Sequence, residues 1–310
     1  MSDLEQIDDF LDQTGVGDWA RERLPQDASS RHYLRLRDGS STLIAMVSEP
    51  DASVESFVKM SELLVGNGLS APKVLARKGG LLLLEDLGQM HAADHIGLFP
   101  QDEEKIYLWT VQAIARIQTI SPTWDLPLLD AKKARTLAEL FTEWCAPGLG
   151  QGALESLEEA WHTLEPYPRV LSLRDLHAEN IIWRPEKAGL DRIGLLDFQD
   201  AVLTHPLYDL VSLLRDARRD VKPSTIRAAK SEFLNASQMN PNDFEKAFAT
   251  ISVQRALRIL GIFKRLEVRD GKTKYRPFIP RMVAYLKEDL KHPHLAELAR
   301  HLEQEIKQYD

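Results

Sequence analysis

Hydrophobic and polar positions follow two regimes along this chain. From Arg31 to Arg37 (RHYLRLR) they alternate roughly every second residue, the period of a half-buried strand. Asp38-Gly39 is a turn signal, and Thr42–Val47 reads as a second strand. Val54–Val65 suits a helix ended by Gly66 and Gly68. Lys73–Arg77, a Gly79-Gly80 turn and the apolar run Leu81–Leu84 predict two further strands. Ahead of them, Ser2 and Glu5 have capping-box spacing and predict a short helix to about Leu11, stopped near Gly15. The first 85 or so residues thus predict a β-β-α-β-β order in one antiparallel sheet.

After Gly88 the period lengthens. Ile106, Trp109, Ala113, Ile117 and Ile120 keep helical spacing, and Pro122 ends the run. Lys132–Cys145 and Ala153–Leu164 predict helices. Val170–Leu173, Ile181–Trp183 and Ile193–Leu196 predict short strands among loops, and Leu207, Leu210, Val211 and Leu214 form a helical stripe. Helices dominate from Ser224 onward. The expectation is an α+β fold of two lobes, a small sheet-rich one over 1–88 and a larger, mainly helical one over 89–310, with a ligand cleft between them.

Composition narrows the function. The chain has 310 residues with 39 Lys+Arg against 47 Asp+Glu, a net charge of −8, so a chain-wide nucleic-acid footprint is absent. Cys145 is the single cysteine, which excludes an internal disulfide and a cysteine zinc cluster. The acidic start MSDLEQIDDF lacks a secretory h-region, and apolar runs are too short to span a membrane. A cytoplasmic protein is expected, with neither nucleic acid nor membrane as partner.

The chemistry concentrates in LRDLHAENIIW and IGLLDFQDA. Asp175 and Asn180 lie five apart in a polar loop between short strands, and Asp197 follows a third strand. Phosphoryl transfer from ATP needs a carboxylate to take the acceptor proton. It also needs oxygen ligands to hold Mg²⁺ on the triphosphate, and one Asn with one Asp suffice because magnesium keeps several waters. The order and spacing match the kinase catalytic and metal loops, whereas each dipeptide alone could be a turn.

These stretches, with LTHPLYDLVSLLRDARRD after them, resemble the aminoglycoside phosphotransferase and choline kinase superfamily, a branch of the protein-kinase-like fold. DASSRHYLRL, LSAPKVLA, LLLLEDLG and PFIPRMVAYLKEDLKHPHLAELA extend the likeness over nearly the whole chain. They resemble most the bacterial kinases that act on the anomeric hydroxyl of N-acetylmuramate and N-acetylglucosamine in cell-wall recycling. The resemblance implies Asp175 as catalytic base, and Asn180 and Asp197 as Mg²⁺ ligands. It makes Leu84–Leu87, with Glu85 and Leu87, the hinge along the adenine edge. Ala28, Ser29, Ser30 and Arg31 become the loop over the ATP phosphates. Asp209 is expected to hydrogen-bond the catalytic-loop backbone. Aminoglycoside phosphorylation and a non-catalytic nucleotide-binding role are the alternatives.

Three departures stand out. Thr42–Val47 has no lysine where kinases hold the α- and β-phosphates, and Met46 occupies the position. Arg31 and Arg35 are candidates to replace it, and both also read as strand surface; Glu55 and Glu62 are alternative partners on the following helix, or solvated surface. Leu173 stands where a histidine usually opens the catalytic loop. Gln199 follows Phe198 where protein kinases commonly have glycine, and Asp200 reads as a metal assistant or a turn residue. On the acceptor side, His177 and His205 read as sugar contacts or as braces. Phe141 and Trp144, with Glu139 and Glu143, read as a sugar platform or as ordinary helix core.

Overall fold

The computed structural model describes residues 3–25, 31–49 and 52–307, which form two compact units that each take two stretches of chain. The first comprises residues up to His95 together with Glu179–Asp200; the second is Ile96–Ala178 with Ala201 onward. A single division at residue 88 does not describe them. A segment late in the sequence pairs with the early one, for reasons visible in its hydrogen bonds.

In the first unit, α1 (Asp3–Gln13), β1 (Ala20–Arg23), β2 (His32–Asp38), β3 (Ser41–Val47), α2 (Ala52–Gly66), β4 (Val74–Lys78) and β5 (Leu81–Glu85) follow in order. The strands form one antiparallel sheet in the order β1-β2-β3-β5-β4. Leu36, Ala45 and Leu83 point to one face and pack on Ile7, Phe10 and Leu11 of α1. Strand alternation sends Tyr33, Arg35, Met46, Leu82 and Leu84 to the other face, where cross-strand register pairs Tyr33 with Met46 and Met46 with Leu82. The β4–β5 turn needs both its glycines. Gly79 has φ +61, and a Cβ on Gly80 would collide with the Ser48 carbonyl.

The late segment contributes the antiparallel pair Ile181–Trp183 and Ile193–Leu195. Leu195 N–H donates to Ser70 O at 2.7 Å, Trp183 N–H donates to Met90 O at 2.8 Å, and Ser70 Oγ donates to Asp191 at 2.8 Å. The Phe198 ring lies 4.9 Å from Phe57 of α2. Backbone and ring contacts therefore bind this hairpin to the first unit.

The second unit is mainly helical, with one strand pair, Val170–Ser172 against Val202–Thr204. Its axis is the long helix Pro241–Asp270, started by Asn240, whose side chain accepts the Asn242 N–H at 2.9 Å, and ended at Gly271 with φ +65. Phe141, Leu157, Val253, Leu257, Leu260, Met282, Leu286 and Leu302 form its core. Helix Ala131–Trp144 crosses the long helix closely at Gly261, where a Cβ would strike the Leu140 backbone. This is the mixed α+β architecture that the hydrophobic pattern predicts. Among the described residues no helix is long and apolar enough to cross a membrane.

Candidate active site

Asp175 sits in the second unit, on the loop after Val170–Ser172, and the loop is pinned from below by a buried carboxylate. Asp209, near the start of helix Tyr208–Leu214, accepts from Ser172 Oγ at 2.7 Å, Leu173 N–H at 2.9 Å and Arg174 N–H at 2.9 Å. That is the backbone-bracing role expected of Asp209. Arg174 adopts φ +75, a left-handed conformation costly for a residue with a Cβ, which the two backbone hydrogen bonds around it maintain. Arg255 of the long helix closes the other side. It donates to Arg174 O at 2.8 Å and to Ser212 Oγ at 2.7 Å, and its guanidinium lies 5.0 Å from the Tyr208 ring centre. Leu173 is buried among these contacts, so it packs where a histidine is usual.

The Asp175 side chain is 33% exposed, and two guanidiniums approach it: Arg258 at 3.8 Å and Arg255 at 3.9 Å. Burial opposes its ionisation, but the charges of Arg258, Arg255 and Arg174 outweigh that and hold the carboxyl below its usual range. These charges thus favour Asp175 as the carboxylate, which can accept a hydrogen bond from a hydroxyl but is weakened as a base.

In the first unit the structure brings Asn180 and Asp197 together, with the Asn180 amide 3.3 Å from Asp197 Oδ2. Leu196 N–H donates to Asn180 O at 3.0 Å, coupling the two loops through backbone. Asp197 has φ +58 and an exposed side chain, while Phe198 beside it is fully buried against Phe57. The anchored ring leaves the preceding carboxylate turned outward. Gln199 Nε2 donates to Asp197 Oδ1 at 2.7 Å, and Asp200 is exposed. An amide and a carboxylate within hydrogen-bond reach, both carrying hard oxygens, fit a magnesium ion whose other ligands are water and phosphate.

Of the phosphate-loop candidates, Ala28, Ser29 and Ser30 lie outside the described residues, whereas Arg31 is described and 7% exposed. Arg31 donates to Ser53 O at 3.4 Å and hydrogen-bonds the Tyr33 hydroxyl. Burial pushes that hydroxyl up, with Arg31 pulling it down and the charge of Asp197 adding to the rise. Arg31 and the charge of Asp197 therefore both act on Tyr33, whose cross-strand register places it on the sheet face that carries Met46. Nothing in the hydrophobic pattern singles out Tyr33, whose place in this group follows from strand register and the fold of a distant loop.

Arg35 has a different fate. It grips Asp86 with Nε to Oδ2 at 2.7 Å and Nη2 to Oδ1 at 3.3 Å, and also donates to Gly88 O at 3.2 Å. Burial raises Asp86, but hydrogen bonds from Arg35 and the Gly88 N–H, with the Arg35 charge, leave it below the usual range. Arg35 is committed to shaping the turn after β5. In that turn Leu87 is buried, and Glu85 N–H donates to Lys73 O at 2.9 Å. Glu55 pairs with Arg77 at 2.7 Å and Glu62 is exposed, so both stand on the helix surface.

The acceptor-side candidates divide. Phe141 is core, 1% exposed, and Glu139 and Glu143 are exposed. Trp144 keeps a buried Nε1 with no hydrogen-bond partner among the described residues. His177 is buried with Nε2 taking a hydrogen bond from Arg218 at 3.2 Å. His205 is a brace: its Nδ1 accepts the Leu207 N–H at 3.2 Å, and burial drives its pKa down to about 3. Arg255 and Arg258 are the residues the motif reading passes over. Their helical spacing looks like surface, and only the long helix brings them to Asp175.

A family model described as "Phosphotransferase enzyme family" matches residues 20–239. A protein of Caulobacter vibrioides named N-acetylmuramate/N-acetylglucosamine kinase is 36% identical, with 93% of each chain covered. A protein of the same name from Pseudomonas aeruginosa is 30% identical, over 88% of this chain and 84% of its own. Among solved structures, a choline/ethanolamine kinase family protein from Mesorhizobium loti aligns with TM-score 0.68 at 12% identity, covering 97% and 99% of the two chains. Aminoglycoside 2'-phosphotransferase-IIIa aligns with TM-score 0.64 at 16% identity, covering 93% and 98%. At such identities the structural likeness is one of fold.

Proposed function

Because the chain belongs to the phosphotransferase enzyme family, we propose that it is a sugar kinase. It transfers the γ-phosphoryl group of ATP to the anomeric hydroxyl of N-acetylmuramate or N-acetylglucosamine during peptidoglycan recycling. ATP as donor makes it a cytoplasmic reaction. Nucleotide binding falls to the first 88 residues with Glu179–Asp200 beside them, and acceptor binding to the second unit.

Asp175 accepts the proton of the anomeric hydroxyl as its oxygen forms the bond to γ-phosphorus and the bond to the ADP oxygen breaks. An anomeric hydroxyl is more acidic than an ordinary alcohol, so the weak basicity imposed by the flanking arginines is tolerable. Asn180 and Asp197 hold Mg²⁺, which when bound supplies positive charge against the triphosphate oxygens. Arg31, next to Tyr33 on the face where Met46 replaces the usual lysine, supplies the cation for the phosphates, with Ala28, Ser29 and Ser30 contributing backbone amides. Glu85 and Leu87 present backbone groups to the adenine edge.

One observation carries this reading over aminoglycoside phosphorylation: arginines surround the proposed base. A polycationic drug needs carboxylates there, and like charges at such range cost several kcal/mol. A non-catalytic role would have no use for Asp175, Asn180 and Asp197 together. The test is ADP release from Mg-ATP over a panel of sugars and aminoglycosides, with ³¹P-coupled NMR of the product. A C1 phosphate on an N-acetylated sugar is expected, and Asp175→Asn should lower kcat by about 10²- to 10⁴-fold, the range of general-base catalysis. Phosphate on an aminocyclitol, or no turnover with any sugar, overturns the reading.

A further inference from the structure

We propose that His205 holds a single ordered water in a recess of the second unit, and that this water ties together three segments of the helical scaffold. The site does not depend on the sugar-kinase reading.

His205 follows the strand Val202–Thr204, is 5% exposed, and uses its two ring nitrogens unequally. Nδ1 accepts the Leu207 N–H at 3.2 Å, so that nitrogen carries the lone pair. Burial, with the charge of Lys246, keeps the imidazole neutral, and a neutral ring with a bare Nδ1 has its hydrogen on Nε2. That Nε2 is buried and has no hydrogen-bond partner among the described residues. A buried N–H without an acceptor is costly, and nearly all such groups find protein or water.

The His205 side chain forms part of the wall of a cavity of about 10 Å³. Leu129, Trp161 and Leu164, all buried, supply its apolar lining. Asp130, Glu165, Tyr167 and Arg169 supply the polar part. The volume is about the ~10–15 Å³ that one water needs, and far short of a sugar or a nucleotide. Charge then selects the occupant. The Nε2–H and the Arg169 guanidinium oppose a cation, whereas the Asp130 and Glu165 carboxylates oppose an anion. Water is neutral, accepts from Nε2–H, and has two hydrogens of its own to give.

Acceptors for those hydrogens are present in the wall. Asp130 takes the Lys133 N–H at 2.8 Å, and Glu165 faces His162 at 3.2 Å and Arg169 at 3.8 Å, but a carboxylate offers about four acceptor positions. Tyr167 gives its hydrogen to Asp243 at 2.9 Å and keeps an oxygen lone pair. The water thus links residue 205, the 161–169 stretch and Asp130 at the start of helix Ala131–Trp144. The competing use of the N–H is the face of the Tyr167 ring, whose centre is 5.2 Å from that of His205 at an interplanar angle of 72°.

The test is a crystal structure of the full chain near neutral pH, from crystals grown with bromide in place of chloride, alongside ¹⁵N NMR of histidine-labelled protein. One peak of water height should lie ~2.7–3.2 Å from His205 Nε2, within the same reach of Asp130, Glu165 or Tyr167, and without anomalous signal. The NMR should place the hydrogen on Nε2, the His205 resonances being those lost in His205→Asn. Bromide at the peak would make this an anion site. No peak, with Nε2 against the Tyr167 ring, would make it a dry cavity, and hydrogen on Nδ1 would remove the donor. Each of these three results overturns the proposal and leaves the sugar-kinase reading untouched.

Discussion

Replacing Asp209 by alanine tests how the catalytic loop is held. The carboxylate accepts three hydrogen bonds, from Ser172 Oγ, Leu173 N–H and Arg174 N–H, and is 1% exposed. In Asp209→Ala, Arg174 N–H retains Ser172 Oγ at 3.1 Å, but Leu173 N–H and the Ser172 hydroxyl lose their acceptor. Two buried donors left unsatisfied cost about 1–3 kcal/mol each, so about 2–6 kcal/mol in all. That is a large share of the roughly 5–15 kcal/mol that keeps a protein folded. The loop has a cheaper option, because Arg174 is held at φ +75 against its own preference. Once released, its peptide should relax, expose the donors to water and carry Asp175 out of place. We therefore expect the stability loss at the low end of the range and a kcat loss of about 10²-fold or more, the effect of displacing a reacting group by about 1 Å. Urea unfolding and steady-state ADP release on the same preparations measure both. Stability within about 0.5 kcal/mol of wild type together with kcat within about threefold would refute the reasoning, since that is how an uninvolved surface substitution behaves.

Two more predictions concern the scaffold of the second unit. Gly261→Ala should destabilise the protein despite alanine's helix propensity: propensity contributes about 1 kcal/mol, while overpacking against the Leu140 backbone, which cannot swing aside, costs about 1–3 kcal/mol or more. A higher thermal midpoint for the alanine variant would contradict this packing. His205 should make stability depend on pH. Its folded pKa of about 3 lies below the unfolded value of ~6.5, so the unfolded chain binds the extra proton and stability falls with pH below ~6.5. Between pH 7.5 and 5 the His205 contribution is a loss of about 2 kcal/mol. His205→Asn keeps an acceptor for the Leu207 N–H and should lose that slope in urea titrations; parallel slopes would show that His205 is not buried neutral.

Much of this was legible before any coordinates. Alternation announces β2, the Asp38-Gly39 turn signal introduces β3, and helical spacing announces Ala131–Trp144 and Gln151–His162 within two residues at each end. The order of Asp175, Asn180 and Asp197 is what suggests the proposed base and magnesium ligands, because those roles call for oxygen-bearing side chains. What escaped was governed by partners distant in sequence. β1 reads ARER, exposed throughout, and is a strand only because β2 offers it a backbone edge. Val202–Thr204 is three residues long, held by pairing with Val170–Ser172. Arg35 reads from the sequence as a phosphate cation or as strand surface, and only the turn after β5 brings Asp86 to it. Arg258 acquires meaning only when the long helix lies against a loop more than eighty residues earlier.

The hairpin of Ile181–Trp183 and Ile193–Leu195 also bears on how the chain must be made. It hydrogen-bonds to Ser70 and Met90, and it holds Asn180 and Asp197, so the first unit is unfinished until translation has passed residue 200. The whole of 96–178 emerges from the ribosome in the interval. A nascent chain stalled before the hairpin therefore lacks both Asn180 and Asp197, the two residues proposed to hold magnesium.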